Sequence, residues 1–164
     1  MKKIILIVFC FLSSIMAFSG LFQTVDKKEV TLLQIGKKHE RCPVCNMSLI
    51  RYYKTSHAIK LKNGSYKQYC SIHCLVDDLE HRSLKNKHKE IEKILVVDIK
   101  SLEFIDVKDA FYVIDSEKGG TMSYVSKYAF KNKKDAKEFI KKNGGSLNSF
   151  DEAYKIAIKD FLYH

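Results

Sequence analysis

The residues with the clearest chemical potential are four cysteines and a neighbouring methionine. One pair lies in the run Cys42-Pro43-Val44-Cys45-Asn46-Met47, and the second pair, Cys70 and Cys74, follows further along the chain. Thiolate and thioether sulfurs are soft donors, which select Cu(I), or zinc where thiolates dominate, over hard cations. A methionine two positions after a cysteine favours copper, because zinc rarely recruits a thioether. The sequence therefore predicts a sulfur-ligated metal site with copper as the leading ion.

Other interpretations of these cysteines remain open from the residues alone. They could form two disulfides, a closed zinc site or a Cys-X-X-Cys redox pair, and Met47 could fill a gap in the core. A zinc site made of four thiolates would use Cys45, so zinc and copper compete for that residue. Thiol–disulfide exchange needs an exposed cysteine at a helix start, but the residues after Pro43 show no helical periodicity. Without a Ser-His-Asp set, paired carboxylates or a phosphate loop, the sequence does not predict an enzyme.

The first 19 residues have the pattern of an export signal. Lys2 and Lys3 precede an apolar run over residues 4–11, and small residues follow. The run is shorter than the roughly 20 apolar residues of a membrane-spanning helix. We therefore predict a signal peptide over residues 1–19, cleaved near residues 17–19, with an uncleaved N-terminal anchor as the alternative. Either form places the working part of the chain in the periplasm, where oxidising conditions favour disulfides.

The charge balance is strongly basic. Lysines and arginines number 29 against 19 acidic residues, a net charge of +10. The lysines are spread along the chain, with doublets at residues 37–38, 133–134 and 141–142, and no dense arginine cluster accompanies them. For an exported protein this pattern argues against a nucleic acid partner. It predicts a solvated basic surface with peripheral attraction to an anionic membrane or to an acidic partner, on a chain that we expect to be monomeric.

The elements around the cysteines follow the order strand, strand, helix, strand. Asn63-Gly64 supplies the tight turn of a hairpin between two alternating segments. Ser71 can cap a helix, because apolar residues recur at helical spacing after it. The strands predicted in this part of the chain are residues 30–35, 57–61, 65–69 and 94–97.

The second half repeats this order. Asn132 can cap a helix over residues 133–142, which Gly144-Gly145 ends, and Ser149 with Glu152 forms a capping box for a final helix. The predicted strands are residues 111–114, 123–129 and 146–147. The predicted fold is α+β, with two small strand-strand-helix-strand units in tandem. The predicted segments are the signal over residues 1–19, a first unit over 20–100 and a second unit over 101–164.

The predicted elements give the cysteines definite places. Cys42 and Cys45 lie in a loop before the hairpin, and Cys70 and Cys74 lie at the start of the helix that follows it. The helix dipole and free N–H groups at such a start lower a thiol pKa. A hairpin between two such pairs resembles the metal-binding treble-clef modules of the TRASH and YHS families. His73 is expected to face solvent rather than bind the metal.

Three stretches in a fixed order carry a further resemblance. They are residues 42–47, residues 110–116 with Gly120-Thr121-Met122, and residues 129–152 with Phe150-Asp151-Glu152 at their end. Through them, the chain from about Glu40 to Ala153 is similar to NosL, the family of nitrous oxide reductase accessory proteins. Asn46 stands where glycine is usual in that family, and asparagine tolerates the positive φ that glycine supplies.

The resemblance implies a periplasmic copper chaperone that acts in denitrification. Such a protein binds Cu(I) and delivers it to the membrane-associated machinery that matures nitrous oxide reductase. It implies a fold of two strand-strand-helix-strand units, and it implies Cys45 and Met47 as metal ligands with Met122 as a candidate third.

The chain also departs from the family pattern. Its N-terminal segment has no lipoprotein signal before a cysteine, and Ser123 follows Met122 where glycine is usual. Cys70 and Cys74 are not general to the family. They are predicted to be accessory copper ligands or a disulfide, or to bind zinc together with Cys42 and Cys45.

Overall fold

The protein is described here by a computed structural model that covers residues 21–163, so the predicted signal peptide lies outside the described residues. The strands are β1 (His57–Leu61), β2 (Tyr66–Tyr69), β3 (Ile91–Val97), β4 (Phe104–Asp106), β5 (Phe111–Ile114), β6 (Lys127–Phe130) and β7 (Ser146–Asn148). The helices are α1 (Ile72–Glu80), α2 (Lys133–Asn143) and α3 (Phe150–Lys159). The predicted α+β class is confirmed, and the order strand-strand-helix-strand occurs twice.

The first sheet is antiparallel, with strand order β2-β1-β3-β4. β1 and β2 form the predicted hairpin, in which Gly64 has a φ of 83°. The sequence did not predict β4, because three residues are too few to show a periodic pattern. β4 pairs with β3 and so belongs to the first sheet, although it lies beyond residue 100. The division of the chain at residue 100 stays a prediction.

The second sheet has strand order β6-β5-β7, and hydrophobic residues pack on both of its faces. Tyr112 and Ile114 of β5 face the core shared with the first sheet. Val113, which points the other way, packs with Tyr128, Phe130 and residues of α2. This division follows from the alternation of side chains along a strand.

The two sheets meet where β3 ends. Asp98 and Ala129 form a parallel bridge, and the N–H of Ile99 donates to the carbonyl of Ala129 over 3.0 Å. The buried Asp98 carboxylate also accepts from the backbone N–H groups of Ser101 and Lys131. One hydrophobic core therefore runs through both units and holds α1 and α3 against each other.

The predicted strand at residues 30–35 is wrong. This segment is irregular and runs beside the edge strand β2, where side chains satisfy its backbone. The N–H of Leu33 donates to Oε1 of the buried Gln68 over 2.9 Å, and the N–H of Thr31 donates to the hydroxyl of Tyr53 over 3.1 Å. The backbone N–H groups of this segment therefore bond to side chains and not to a neighbouring strand, so its apolar residues do not form a strand.

The predicted strand at residues 123–129 begins too early, since β6 starts at Lys127. The residues before it form a folded loop, in which Met122 has a φ of 58°. Gly120 allows this fold, because a Cβ at that position would lie 2.3 Å from the carbonyl oxygen of Ser123. The loop brings the Thr121 hydroxyl within 2.8 Å of the Thr55 hydroxyl in the first unit.

The three helices begin at their predicted N-cap residues, and α2 ends within one residue of its predicted end. Ser71 and Asn132 occupy N-cap positions, but neither side chain makes a capping hydrogen bond. Ser149 does cap α3, since its hydroxyl accepts from the N–H of Glu152. Gly144, with a φ of 69°, ends α2 as predicted. Within the described part of the chain, no helix has both the length and the apolar character needed to cross a membrane.

Because His57 is buried, we expect the stability of the fold to decrease in acid. Its Nδ1–H donates to the carbonyl of Thr55, and its Nε2 accepts from the Tyr112 hydroxyl, both over 3.0 Å. Burial lowers the pKa of His57 from 6.5 to about 4. The unfolded chain therefore binds a proton first as the pH falls. We expect the free energy of unfolding to decrease between about pH 6.5 and 4, by at most about 1.4 kcal/mol per pH unit from this group.

Urea denaturation of the metal-free protein at several pH values measures this slope. His57→Gln should flatten it, whatever its effect on stability at pH 7. His88→Gln, at an exposed position, serves as the matched control and should leave the slope unchanged. Equal slopes for the wild type and His57→Gln would contradict the prediction.

Candidate metal centre

The sulfur atoms of all four described cysteines gather at one point. Cys42, Cys45, Cys70 and Cys74 place them within 4.8 Å of one another. The Cys70 sulfur is 3.5 Å from that of Cys45 and 3.7 Å from that of Cys74. All four thiols are free, so the structure does not contain the disulfide that was one alternative for Cys70 and Cys74.

The first cysteine pair is positioned by a tight turn. The N–H of Cys42 donates to the carbonyl of Met47, and the N–H of Asn46 donates to the carbonyl of Cys42, both over 2.9 Å. Arg41 and Ser48 close the turn through a β-bridge. Asn46 has a φ of 62°, the left-handed conformation that its substitution for glycine led us to expect. The turn directs the sulfurs of Cys42 and Cys45 toward those of Cys70 and Cys74.

The left-handed conformation of Asn46 predicts how this position tolerates substitution. Asn46→Gly should fold normally and retain its metal affinity, because glycine adopts this backbone without strain. Asn46→Val should lower the free energy of unfolding by about 1–2 kcal/mol, because a β-branched residue is strained there. Urea denaturation of the metal-free proteins measures both effects, and equal stability of the two variants would contradict the assignment.

The second cysteine pair is positioned by the junction of β2 and α1. Cys70 follows the last residue of β2, and Cys74 lies in the first turn of α1. The hydroxyl of Thr55 donates to the carbonyl of Cys70 over 2.8 Å, and this hydrogen bond fixes the position of the junction. Both sulfurs are fully buried, so the first turn of the helix presents them to the interior rather than to solvent.

The four thiols differ in exposure and in acidity. Cys42, Cys70 and Cys74 are buried, whereas Cys45 is partly exposed. The hydrogen bond with Cys70 lowers the pKa of Cys45 to about 7. The same sharing raises the pKa of Cys70, because its proton is held between neighbouring sulfurs. The expectation that the helix start lowers the pKa of Cys70 is therefore wrong for the metal-free protein. Cys45 is the thiol that solvent can reach.

The two methionines lie on different parts of the chain, Met47 in the first cysteine turn and Met122 on the loop before β6. Met47 ends the first turn and packs, partly buried, against the hydrophobic core that contains the cysteines. Met122 is 41% exposed on the loop before β6. The preceding Thr121 is buried, and its hydroxyl lies 2.8 Å from that of Thr55, the residue that holds the carbonyl of Cys70. The loop carrying Met122 is thus tied to the cysteine cluster through two hydrogen bonds.

Sequence reasoning did not identify Thr55, Thr121 or Lys127 as supports of this loop. The ammonium group of Lys127 is buried and contacts Ser123 Oγ, the carbonyl of Val125 and the carboxylate of Asp160, each within 3.0 Å. The burial of a single threonine or lysine cannot be predicted from the neighbouring sequence. The contacts of Thr121 with Thr55 and of Lys127 with Asp160 join residues that are distant in the chain.

The histidine prediction needs one correction. His73 does not face solvent, because it is buried and stacks on Phe161 with ring centroids 4.3 Å apart. No histidine of the described residues belongs to the cluster of metal-ligating groups, which consists of the four cysteines. The donor set of this cluster is therefore all sulfur, with the chemistry of a soft-metal site.

The fold and the cluster define a class, an α+β protein whose four thiols can hold one soft metal ion. The sequence profile of the NosL family matches residues 33–157, about three quarters of the chain. The chain belongs to the NosL family.

A solved relative supports the same assignment. The chain is similar to the copper chaperone NosL from Shewanella denitrificans, with 25% sequence identity and a TM-score of 0.54. The match covers 73% of this chain and 92% of that one. Comparison with curated proteins gave no match.

Proposed function

We propose that this protein is a copper chaperone that carries Cu(I) on its cysteine cluster and releases it through Cys45. The observation that carries this proposal is the convergence of four sulfurs within 4.8 Å in a member of the NosL family. Cu(I) is the cargo, and the chaperone role requires binding and release but no catalytic group.

A set of four cysteine sulfurs is suited to binding Cu(I) and then transferring it to another protein. Cu(I) prefers soft sulfur ligands, and three sulfurs satisfy it. A cluster of four cysteines therefore has one ligand in excess, so an incoming ligand can replace Cys45 while the other sulfurs keep hold of the ion. Since Cys45 is the partly exposed member, it is the natural point of exchange.

Met47 and Met122 are proposed as further ligands during this exchange. Met47 belongs to the same turn as Cys45, and Met122 lies on the loop tied to the carbonyl of Cys70 through Thr55 and Thr121. Thioethers bind Cu(I) without carrying charge, so they can share the ion with Cys45 while it leaves the thiolates. The family resemblance supports the same pair.

The cellular setting and recipient are also proposals. The basic, apolar start of the chain and the family support export to the periplasm, with peripheral membrane association through the basic surface or an uncleaved anchor. By the same resemblance, the recipient is the machinery that matures nitrous oxide reductase. Copper-limited growth on nitrous oxide after gene deletion tests this role, and a fully copper-loaded reductase in the deletion strain would overturn it.

A structural zinc site is the second candidate function for the same residues. In a tetrahedral zinc site with Zn–S bonds of about 2.3 Å, neighbouring sulfurs lie about 3.8 Å apart. The Cys70–Cys74 separation of 3.7 Å is close to this value. Zinc would bind Cys45 as firmly as the other three cysteines. The protein would then be a zinc-stapled adaptor or metal sensor instead of a copper carrier.

A thiol–disulfide oxidoreductase is disfavoured by the position of the first cysteine. Cys42 is buried and lies in a turn, and α1 begins only at Ile72. Such an enzyme needs its attacking thiolate exposed. The geometry around Cys42 therefore gives this alternative no support.

Metal content and competition distinguish copper from zinc. The mature protein is isolated without added metal or reductant, analysed for both elements, and titrated anaerobically with Cu(I) against a chromogenic chelator. We expect close to one Cu(I) per chain, held through competition and passed to a stronger thiol chelator. Stoichiometric zinc that survives chelation and cannot be displaced by Cu(I) would overturn the copper proposal and support the adaptor.

A further inference from the structure

The outer side of the first cysteine turn forms a surface concavity with a volume of about 420 Å³. Ile35, Pro43 and Val44 supply its apolar part, and Lys38 and Arg41 supply its charge. We call these five residues the turn surface. Ile35 is 96% exposed. Single exposed apolar residues are common, but apolar residues grouped around a concavity and rimmed by charge mark binding surfaces.

The turn surface carries more positive than negative charge. Lys38 and Arg41 have no ion-pair partner among the described residues, and no acidic residue lines the concavity. The neighbouring Glu40 carboxylate interacts with Arg41 but is bound directly by Lys27 over 2.8 Å, so its single charge is shared between two cations. The turn surface therefore presents a positive potential next to exposed apolar side chains.

The turn surface is also held in shape. The side-chain amide of Gln34 lies 2.7 Å from the carbonyl of Arg41 and 3.3 Å from that of Lys38, while its oxygen accepts from the N–H of Gln68 in β2. These contacts fix the segment that carries Ile35 and Lys38 to the first sheet. A partner would meet a surface that is already formed, which reduces the entropy lost on binding.

We infer that the turn surface is where the copper recipient docks, and that the recipient presents an acidic segment with an apolar side chain. Val44 of the turn surface and Asn46, which also lines the concavity, flank Cys45 in the chain. A segment bound here would place its own sulfur ligands beside the partly exposed thiol. Acidic side chains would pair with Lys38 and Arg41, and an apolar side chain would cover Ile35 and Val44. This inference rests on the proposed function and adds the partner's chemistry to it.

Two synthetic peptides test the inference. Both carry a Cys-X-X-Cys acceptor and a leucine; one is rich in glutamate and the other has glutamine at those positions. Transfer of Cu(I) from the loaded protein is followed by stopped-flow. We expect the glutamate peptide to accept Cu(I) at least about 10-fold faster at low ionic strength, and this advantage to disappear near about 0.5 M salt.

Matched charge reversals locate the effect. Lys37→Glu/Lys38→Glu should reduce the rate advantage of the glutamate peptide to about one, because it places two exposed carboxylates at the turn surface, where only Arg41 then remains basic. Lys133→Glu/Lys134→Glu makes the same change in net charge on the exposed start of α2 and should keep most of the advantage. Equal losses in both variants would mean that only net charge matters, and no loss in either would mean that the surface is not used. Either result overturns the inference.

Failure of the proposed function gives a different result. If the protein does not release Cu(I) to either peptide, the chaperone role is wrong. Binding of the fluorescently labelled glutamate peptide to the metal-free protein, measured by anisotropy, still tests the turn surface. Weaker binding of Lys37→Glu/Lys38→Glu, with unchanged binding of Lys133→Glu/Lys134→Glu, would support docking there. Equal binding by all three proteins would overturn it.

Discussion

Cys70→Ser is expected to weaken Cu(I) binding by more than about 100-fold. This loss is larger than the one seen when a residue that only hydrogen-bonds to a metal ligand is removed. Cys70 is central to the cluster, since its sulfur approaches those of both Cys45 and Cys74 within 3.7 Å. Serine has nearly the same shape but offers a hard oxygen, which Cu(I) binds poorly. Anaerobic competition with a chromogenic chelator measures the change.

The other ligands should follow a definite order. Cys42→Ser keeps Cys70 together with the two sulfurs closest to it, those of Cys45 and Cys74, so we expect a loss of only about 10-fold. Met47→Leu and Met122→Leu should weaken binding by less than Cys70→Ser and slow transfer to an acceptor. Unchanged affinity and unchanged transfer in Met47→Leu would exclude that thioether. A zinc site would behave differently, because each of its four cysteines would matter equally.

The serine variants need a check on folding, because Cys70 is fully buried. Cys70→Ala removes the sulfur without introducing a hydroxyl group and should show the same loss of affinity. Circular dichroism of both variants shows whether the fold persists. Two folded variants that retain wild-type affinity would show that Cys70 is not a ligand.

Lys127→Met is expected to lower the free energy of unfolding by about 3 kcal/mol, because it leaves a carboxylate without its partner. The side chains of Lys127 and Asp160 are 2% and 14% exposed, and their charged atoms lie 2.9 Å apart. Burial lowers the pKa of Lys127, while Asp160 opposes that effect. Urea denaturation at pH 7 of the metal-free protein measures the change.

A second substitution and a surface pair make this test specific. Lys127→Met/Asp160→Asn should recover part of the lost stability, since no buried charge is then left unpaired. Lys60 and Glu92 form an ion pair of similar length, 2.7 Å, but both are more exposed. Lys60→Met should therefore cost less than about 1 kcal/mol. Similar losses in Lys60→Met and Lys127→Met would contradict the importance of burial.

Lys127 also connects stability with the candidate metal centre. Its ammonium group holds Ser123 and Val125 of the loop that carries Met122. If this loop contributes a thioether during transfer, Lys127→Met should slow Cu(I) release more than it changes Cu(I) affinity.

Local pattern was sufficient for most of the secondary structure. Asn63-Gly64 has the composition of a tight hairpin turn, and the hairpin forms between β1 and β2. Helical spacing after Ser71 and the glycines at Gly144-Gly145 predicted α1 and the end of α2. These features depend on neighbouring residues, which is why the sequence alone could specify them.

The errors occur where distant side chains replace local pairing. Residues 30–35 have a strand-like pattern, yet Gln68 and Tyr53 take their hydrogen bonds. The residues before β6 fold into a loop because Thr121 bonds with Thr55, and because Lys127, which contacts Ser123, is paired with the distant Asp160. The burial of His73 likewise depends on Phe161, which lies at the other end of the described chain.

For the candidate metal centre, the sequence by itself determined the donor atoms and the turn that presents the first pair. Sulfur chemistry follows from residue type, and the left-handed turn follows from Asn46. Only the tertiary structure decided that all four sulfurs share one point and that Cys45 alone among them is partly exposed. The physical reason is that both properties depend on how the turn packs against the junction of β2 and α1. That packing comes from the hydrophobic core and from Thr55, and no spacing within either cysteine pair encodes it.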